Sequence, residues 1–222
     1  MKAWELLGEA RTPDGTDIRL TRSGSEYLIS ANAKPLMSSR MHGSEEALAT
    51  LACDEARGMN GPRVLVGGLG MGFTLRAVLD VLPADAVVTV AELVPAVIEW
   101  NGHVLAPLAA HPLRDPRVRV QVGDVGFILR ANTGRFDVVL LDVDNGPAAF
   151  TASANAGLYD NSGVAAAYAA LRSPGTLAVW SAWEDRKFEQ RLRYCGFRLS
   201  VERVRARLKG GGPRHTIFLG SK

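Results

Sequence analysis

Glycines and acids that follow successive apolar runs are the residues of this sequence best suited to chemistry. They are Gly68, Gly70 and Gly72 after the first run, and Glu92, Asp124, Asp142 and Asp144 after the next three. A glycine leaves the backbone bare, so that a ligand can approach it closely. Carboxylates accept hydrogen bonds from hydroxyl and amino groups, and a partly desolvated one such as Asp142 can remove a proton from a nucleophile.

The periodicity of the apolar residues predicts the elements that position these side chains. The first 40 residues have the alternation and turn signals of short antiparallel strands. From Ser44, a candidate N-cap, helical segments alternate with strand-like runs, as in βαβ units of a parallel sheet covered on both faces. One of the expected helices covers residues 95–110. Two final runs, 197–207 and 214–220, predict a hairpin at the sheet edge. We expect an α/β fold with a small N-terminal β appendage, residues 1–40, and a main domain, residues 41–222.

The spacing of the glycines and the first acid favours a nucleoside ligand. Ligands of parallel α/β sheets bind beyond the carboxyl ends of the strands. Glu92 lies 20 residues after Gly72 and ends the next strand, where a carboxylate accepts both hydroxyls of a ribose. The GxGxG spacing differs from the GxGxxG of dinucleotide sites, and the sequence has no Gly-Lys-Ser/Thr segment of a triphosphate loop. Asp124 either accepts from an adenine amino group or caps the helix that follows it.

The composition limits the compartment and the class of partner. The chain has 222 residues, 47% of them apolar, and a formal net charge of +3 that is spread along most of its length. It can bury a full core, and its mild charge does not indicate a nucleic-acid-binding surface. Cys53 and Cys195 have no CxxC partner, so neither a disulfide framework nor a zinc site is indicated. No run resembles a signal peptide or a membrane span, and we expect a cytoplasmic protein.

Four segments of the sequence resemble the successive motifs of one protein family. They are VLVGGLGMGFTLRAVL, VTVAELVPAVIEWN, DPRVRVQVGD and FDVVLLDVDNGP. Their order and spacing over residues 62–182 resemble the spermidine synthase-like (polyamine aminopropyltransferase-like) branch of the class I S-adenosylmethionine-dependent methyltransferase superfamily. The resemblance implies a Rossmann-like sheet of seven strands and a donor that is S-adenosylmethionine or its decarboxylated form. It also implies a small-molecule acceptor, no metal and, by analogy, a homodimer.

The resemblance assigns roles to the residues at the strand ends. The cofactor-binding residues that it implies are Gly68, Leu69, Gly70, Gly72, Glu92, Leu93, Asp124, Val125 and Asp142, and the catalytic residues are Asp142 and Asp144. In that arrangement the glycine loop flanks the amino-acid end of the donor, and Glu92 takes the ribose hydroxyls. Asp124 and Val125 hold the adenine, and Asp142 stands beside the reacting carbon.

Three positions depart from the aminopropyltransferase pattern. Met71 stands where that family has an acid facing the ammonium of the donor, the segment DVDNGP is shorter than its counterpart, and Ser44 replaces an aromatic residue of the diamine site. A thioether cannot replace a carboxylate opposite an ammonium. We therefore expect methyl transfer to a small nucleophile. Aminopropyl transfer to an amine is the alternative, and a non-catalytic nucleoside-binding protein is a further one.

The sequence gives least information about the residues that contact the acceptor. Four side chains are candidates for lining an acceptor pocket, and the sequence does not decide among them: His42, Tyr159, Trp180 and Trp183. The other histidines, His103, His111 and His215, are expected to be structural.

Overall fold

The N-terminal residues form a small antiparallel sheet. The computed structural model describes residues 3–143, 146–147, 156–207 and 212–222, and of Ala156 only the backbone. The sheet has four strands in chain order, β1 (Glu5–Arg11), β2 (Asp17–Ser23), β3 (Glu26–Ala31) and β4 (Lys34–Ser38). The predicted β appendage is confirmed, while the division of the chain into two domains at residue 40 stays a prediction.

The second sheet has seven strands and holds the runs that end in glycines and acids. Its strands are β5 (Arg63–Gly67), β6 (Val87–Glu92), β7 (Val118–Val122), β8 (Phe136–Leu141), β9 (Leu171–Ser181), β10 (Arg198–Arg205) and β11 (Arg214–Ser221). Their order is β10-β11-β9-β8-β5-β6-β7, with β5 to β9 parallel and the β10–β11 hairpin antiparallel. The predicted fold class and terminal hairpin are confirmed.

Seven α-helices connect and cover the described strands. They are α1 (Gly43–Ala52), α2 (Phe73–Val81), α3 (Pro95–Gly102), α4 (Val125–Ala131), α5 (Ala156–Tyr159), α6 (Asn161–Ala170) and α7 (Arg186–Tyr194). The expected helix over residues 95–110 is interrupted: α3 ends at Gly102, and the chain continues into a 3₁₀ turn at Ala106–Ala109. Glycine weakens a helix, and Pro107 lacks the N–H that would continue it.

The predicted N-cap of α1 is wrong by two residues. His42 occupies the N-cap position, and Ser44 lies inside the first turn with its side chain fully buried. The hydroxyl of Ser44 is turned toward Glu45 and His215, where it finds hydrogen-bond partners, instead of toward the free N–H groups at the helix start. Tertiary contacts have therefore overridden the local capping preference.

Alternate residues of the central strands pack into two apolar layers, one on each face of the large sheet. Val64 and Val66 of β5 join one layer, whereas Leu65 between them joins the other. The first layer also includes Ile18 and Ile29 of the small sheet, so the two sheets share one core. This packing holds the small sheet over the carboxyl ends of the large one. No helix in the part of the chain that the structure describes is long and apolar enough to cross a membrane.

The small sheet approaches α3 through Gly8 of β1. A Cβ atom added at Gly8 would lie 2.6 Å from Nε1 of Trp100, well inside van der Waals contact. We predict that Gly8→Ala lowers the free energy of unfolding by about 1–3 kcal/mol, because a buried indole must shift. Urea unfolding measures the loss. Gly58→Ala is the matched control, since nothing lies within 4 Å of its added Cβ, and an equal loss in both variants would contradict this packing.

Candidate active site

A cavity of about 290 Å³ lies between the small sheet and the carboxyl ends of the parallel strands. Seven of the predicted site residues line it: Gly68, Gly70, Glu92, Leu93, Asp124, Val125 and Asp142. It opens where β5 lies between β6 and β8, the point at which the strand order reverses. Ligands of open α/β sheets bind in this crevice. The cavity therefore lies at the strand ends where the sequence predicts a ligand, and the ligand contacts of these residues stay a prediction.

Three predicted residues do not line the cavity or cannot be placed. Leu69 is buried beneath the loop, where its N–H donates to Glu92, and Gly72 is the N-cap of α2. Neither is among the residues that line the cavity. Their contacts instead hold the glycine loop against Glu92 and the start of α2. Asp144 lies outside the described residues.

Two of the glycines are required by the packing of the protein itself. Gly68 has φ +88°, and a Cβ there would lie 2.3 Å from the backbone oxygen of Asp142. Gly70 has φ +52°, and its Cβ would lie 2.9 Å from Sδ of Met37 in the small sheet. Positive φ favours glycine, and bare backbone at both positions lets β8 and β4 close on the loop. The glycine spacing therefore reflects internal contacts as well as a bare surface for a ligand.

Glu92 is fixed by the backbone at the end of β6. Its Oε2 accepts from the N–H of Leu69 at 2.9 Å, and its Oε1 accepts from the N–H of Val94 at 2.8 Å. Burial raises the pKa of Glu92, while these N–H groups act in the opposite direction. Each carboxylate oxygen retains a lone pair. The side chain is thus held in one orientation and can still accept from two hydroxyl groups in the cavity.

Asp124 caps α4, which is one of the two roles considered for it from the sequence, and it also lines the cavity. Its Oδ1 accepts from the N–H of Gly126 at 2.7 Å and caps α4. Asp124 also lines the cavity, and no described residue hydrogen-bonds its Oδ2. The two predicted roles are therefore compatible, and adenine recognition stays a prediction.

Asp142 directly follows β8 and is partly buried beside the glycine loop. Its Oδ2 accepts from the hydroxyl of Thr74 in α2 at 2.5 Å. Burial raises the pKa of Asp142 to about 6, and the Thr74 hydroxyl opposes the shift. A carboxylate that holds its proton to this pH can accept or return a proton near neutrality.

Glu45 is a cavity residue that sequence reasoning missed. It lies in the first turn of α1, is only 5% exposed and lines the same cavity as Asp142. Burial, followed by the negative charge of Asp142, raises the pKa of Glu45 to about 8, against the effect of the Ser44 hydroxyl. An acid at a helix start ordinarily interacts with the helix dipole, so the sequence carried no signal that this one faces a cavity.

His215 and Trp180 form another wall of the cavity, near the β10–β11 hairpin. Nδ1 of His215 lies 2.9 Å from Oγ of Ser44, and the indole of Trp180 packs edge-on against the imidazole with ring centroids 4.6 Å apart. Burial lowers the pKa of His215. His215 thus lines the cavity, a position that the expected structural role did not include, and that role stays a prediction.

The structure separates the four candidates for the acceptor pocket. Only Trp180 is among the residues that line the cavity. His42 stacks on Phe73 at 4.1 Å and faces a separate cavity of about 560 Å³, which holds none of the predicted site residues. The hydroxyl of Tyr159 donates to the backbone oxygen of Val143, and Trp183 is exposed.

Except for His215, the ionisable side chains in the described part of the cavity wall are all acidic. Four carboxylates line it, Glu45, Glu92, Asp124 and Asp142, and no lysine or arginine among the described residues does. No group of three His, Cys, Asp or Glu side chains within the described ranges is arranged to hold a metal ion. Buried carboxylates without a cationic neighbour favour a positively charged ligand.

Solved structures with the same fold are known. The chain is similar to spermidine synthase from Thermotoga maritima, with 18% identity and a TM-score of 0.75 over 98% of this chain and 72% of that one. A spermidine synthase in complex with the transition-state analogue AdoDATO matches with 18% identity, a TM-score of 0.73 and the same coverage of both chains. A probable spermidine synthase from Corynebacterium glutamicum ATCC 13032 matches with 18% identity and a TM-score of 0.65, over 98% and 80%. No family model and no curated protein matches the sequence.

The raised pKa of Glu45 predicts a pH dependence of stability. Its carboxyl has an ordinary pKa of 4.5 and keeps its proton to about pH 8 in the folded chain. The folded state thus binds more protons between these values, and stability falls as pH rises through this window. Glu45→Gln removes that contribution. We expect the variant to lose less stability than the wild type between pH 5 and pH 8, by roughly 3–4 kcal/mol, at ~1.4 kcal/mol per pKa unit over about three units.

Urea unfolding at the two pH values measures this difference. Glu99→Gln is the matched control, because it also removes one carboxylate but from the exposed side of α3. Equal slopes for the wild type and Glu45→Gln would show that Glu45 is ionised in the folded protein well below pH 8.

Proposed function

We propose that this chain, whose fold is that of the solved spermidine synthases, transfers the aminopropyl group of decarboxylated S-adenosylmethionine to an amine. The observation that carries the proposal is the acidic cavity wall, with buried Glu45 near partly buried Asp142 and no described lysine or arginine among the lining residues. Both the donor and a protonated amine are cations. They supply the positive charge that the wall lacks.

The strand-end residues hold the nucleoside in this proposal. Glu92 accepts from the ribose hydroxyls, Asp124 accepts from the adenine amino group through Oδ2, and Val125 packs against the base. Gly68 and Gly70 expose backbone toward the sulfur end. When bound, the donor supplies a carbon that is already activated by a positively charged sulfur. The remaining tasks of the protein are alignment of the amine and removal of its proton.

Glu45 favours the decarboxylated donor over the intact one. Intact S-adenosylmethionine carries a carboxylate at the end that faces the glycine loop. That carboxylate would share the cavity with Glu45 and Asp142, whose charged forms are already disfavoured by burial, and a further negative charge would disfavour them more. The decarboxylated donor presents only an ammonium there, which a carboxylate stabilises. Glu45 on α1 thus supplies the acid that the family pattern would place at Met71.

Methyl transfer from intact S-adenosylmethionine, the first expectation from the sequence, is the second candidate. Met71 favours it, because this residue is fully buried and its N–H lies 3.3 Å from Sδ of Met37. The loop therefore presents the thioether of Met37 and no acid where an aminopropyl donor needs one. The aminopropyl reaction is preferred since Glu45 and Asp142 provide acids from neighbouring elements.

Asp142 orients the acceptor in both reactions. Its place directly after β8, beside Gly68, supports a position next to the reacting carbon. A cationic amine pairs with this carboxylate, and Trp180 offers an aromatic wall for the methylene chain. The preferred acceptor is therefore a small amine such as putrescine. A homodimer and a cytoplasmic location stay predictions.

Donor affinity separates these functions. We expect calorimetry to show that decarboxylated S-adenosylmethionine binds at least 10-fold more tightly than the intact compound, because only the intact compound adds a carboxylate near Glu45. Mass spectrometry of a reaction with putrescine should then detect the aminopropylated amine. Tighter binding of the intact donor would favour methyl transfer. Binding of adenosyl compounds without transfer to any amine would indicate a nucleoside-binding protein, and no binding at all would remove the proposal.

Glu92→Gln tests the position of the ribose. An amide can replace only one of the two carboxylate acceptors, so one backbone N–H and one ribose hydroxyl lose their partners. The probe is 5′-methylthioadenosine, the thioether that remains when the donor loses its aminopropyl group. At about 1.5–3 kcal/mol for a hydrogen bond to a charged group, we expect it to bind roughly 10- to 100-fold more weakly. Calorimetry measures the change, with Glu99→Gln as control. Unchanged affinity in Glu92→Gln would mean that the sugar lies elsewhere.

A further inference from the structure

Ser44 connects Glu45 to His215, a residue 171 positions away in the sequence. Its Oγ lies 2.6 Å from Oε2 of Glu45 and 2.9 Å from Nδ1 of His215. The N–H of Gly43 also donates to the backbone oxygen of Ala206 at 2.9 Å, so the start of α1 is attached to the end of β10. The three side chains therefore form a hydrogen-bonded row along the cavity wall.

The row has two protonation states because a serine hydroxyl carries only one proton. When Glu45 is ionised, Ser44 donates to it and His215 donates through Nδ1–H to Ser44, which leaves a lone pair on Nε2. When Glu45 is protonated, it donates to Ser44 and Ser44 donates to Nδ1, which places the imidazole proton on Nε2. The charge of Glu45 thus selects the tautomer of His215.

The second nitrogen of His215 is available to a ligand. His215 lines the cavity, and none of the described residues hydrogen-bonds its Nε2. The edge-on indole of Trp180 restricts the rotation of the ring. An imidazole with a fixed tautomer and a free lone pair is the usual form of a general base.

We propose that His215, Ser44 and Glu45 form a proton relay that deprotonates the acceptor amine, an inference that rests on the proposed transfer to an amine. Nε2 of His215 takes a proton from the ammonium, Nδ1 gives its proton to Oγ of Ser44, and Ser44 gives its own proton to Oε2 of Glu45. The amine now has a lone pair, which forms the new N–C bond. The electron pair of the breaking C–S bond returns to sulfur, which becomes a neutral thioether, and Glu45 later releases the proton to solvent.

The charges around the row agree with this direction of transfer. Burial lowers the pKa of His215 and raises that of Glu45, so the imidazole is neutral near pH 7 and Glu45 is able to hold the transferred proton. The carboxylates that share the cavity with His215 are Glu45, Glu92, Asp124 and Asp142. The charged residues that flank the hairpin, Arg205 of β10 and Arg214 of β11, are exposed. A bound ammonium stabilises ionised Glu45 and so prepares the row to accept a proton.

Kinetics of Ser44→Ala test the relay. We expect kcat with putrescine at pH 7.5 to fall at least about 100-fold, the usual scale of general-base catalysis, while the dissociation constant of the donor changes less than twofold. The defect should shrink as pH rises toward about 10, where an alkyl amine loses its proton in solution. His215→Gln, which opens the row at the other end, should show the same pH rescue.

Ser30→Ala and His103→Gln are the matched controls. Ser30 is a buried serine of β3, and His103 is an exposed histidine after α3; neither lines the cavity. Both controls should keep the wild-type kcat. A defect in Ser44→Ala that is the same at every pH, or the absence of a defect, overturns the relay, because a merely structural role does not depend on the ionisation of the amine.

The tautomer of His215 gives a second readout that needs no turnover. In the full chain labelled with ¹⁵N-histidine, the His215 signals are those lost in His215→Gln. We expect the proton to move from Nε2 to Nδ1 as Glu45 ionises near pH 8, and at lower pH when putrescine is bound; Ser44→Ala should abolish this change. A tautomer that never changes in the wild type overturns the relay. If the switch is present but no amine is alkylated, the proposed function has failed instead.

Discussion

The burial of Glu45 next to Asp142 is the interaction on which the interpretation of this protein depends. When two carboxylates share a cavity, ionising both costs free energy unless a cation lies beside them. No lysine or arginine among the described residues lines this cavity. The folded chain meets this constraint by holding protons: burial raises the pKa of Glu45 to about 8 and that of Asp142 to about 6. In the proposed function a cationic ligand displaces those protons, so recognition of charge and proton movement are coupled in one site.

The fold supplies the polar groups that keep these acids in place without neutralising them. Thr74 of α2 donates to Asp142, Ser44 of α1 donates to Glu45, and backbone N–H groups donate to Glu92. Hydroxyl and amide donors orient a carboxylate but leave its negative charge in place, whereas an arginine beside it would neutralise that charge. The bare backbone at Gly68 lets the end of β8, and with it Asp142, come within contact distance of the glycine loop.

The sequence predicted the half of the site that belongs to the parallel strands and missed the other half. Glu92, Asp124 and Asp142 were found because each ends a regular apolar run, and the carboxyl ends of parallel strands meet at one edge. Glu45 and His215 gave no such signal. These two residues come together only because α1 packs against the β10–β11 hairpin. The sequence suggested that Ser44 caps α1, and not that it links Glu45 to His215. The break of α3 after Gly102 was missed for a related reason, since apolar residues continue through the turn.

The difference between Met71 and Glu45 shows why a motif alone does not decide the reaction. Read along the chain, an apolar residue in the glycine loop argues against a donor with a free ammonium. In space, the loop is only one wall of the cavity, and α1 brings a carboxylate to the same volume from another wall. What the ligand experiences is the sum of the charges around it, whichever element carries them. In this cavity the described wall contributes acids whose charged forms need a cation, and in the proposed function they favour the donor that has lost its carboxylate.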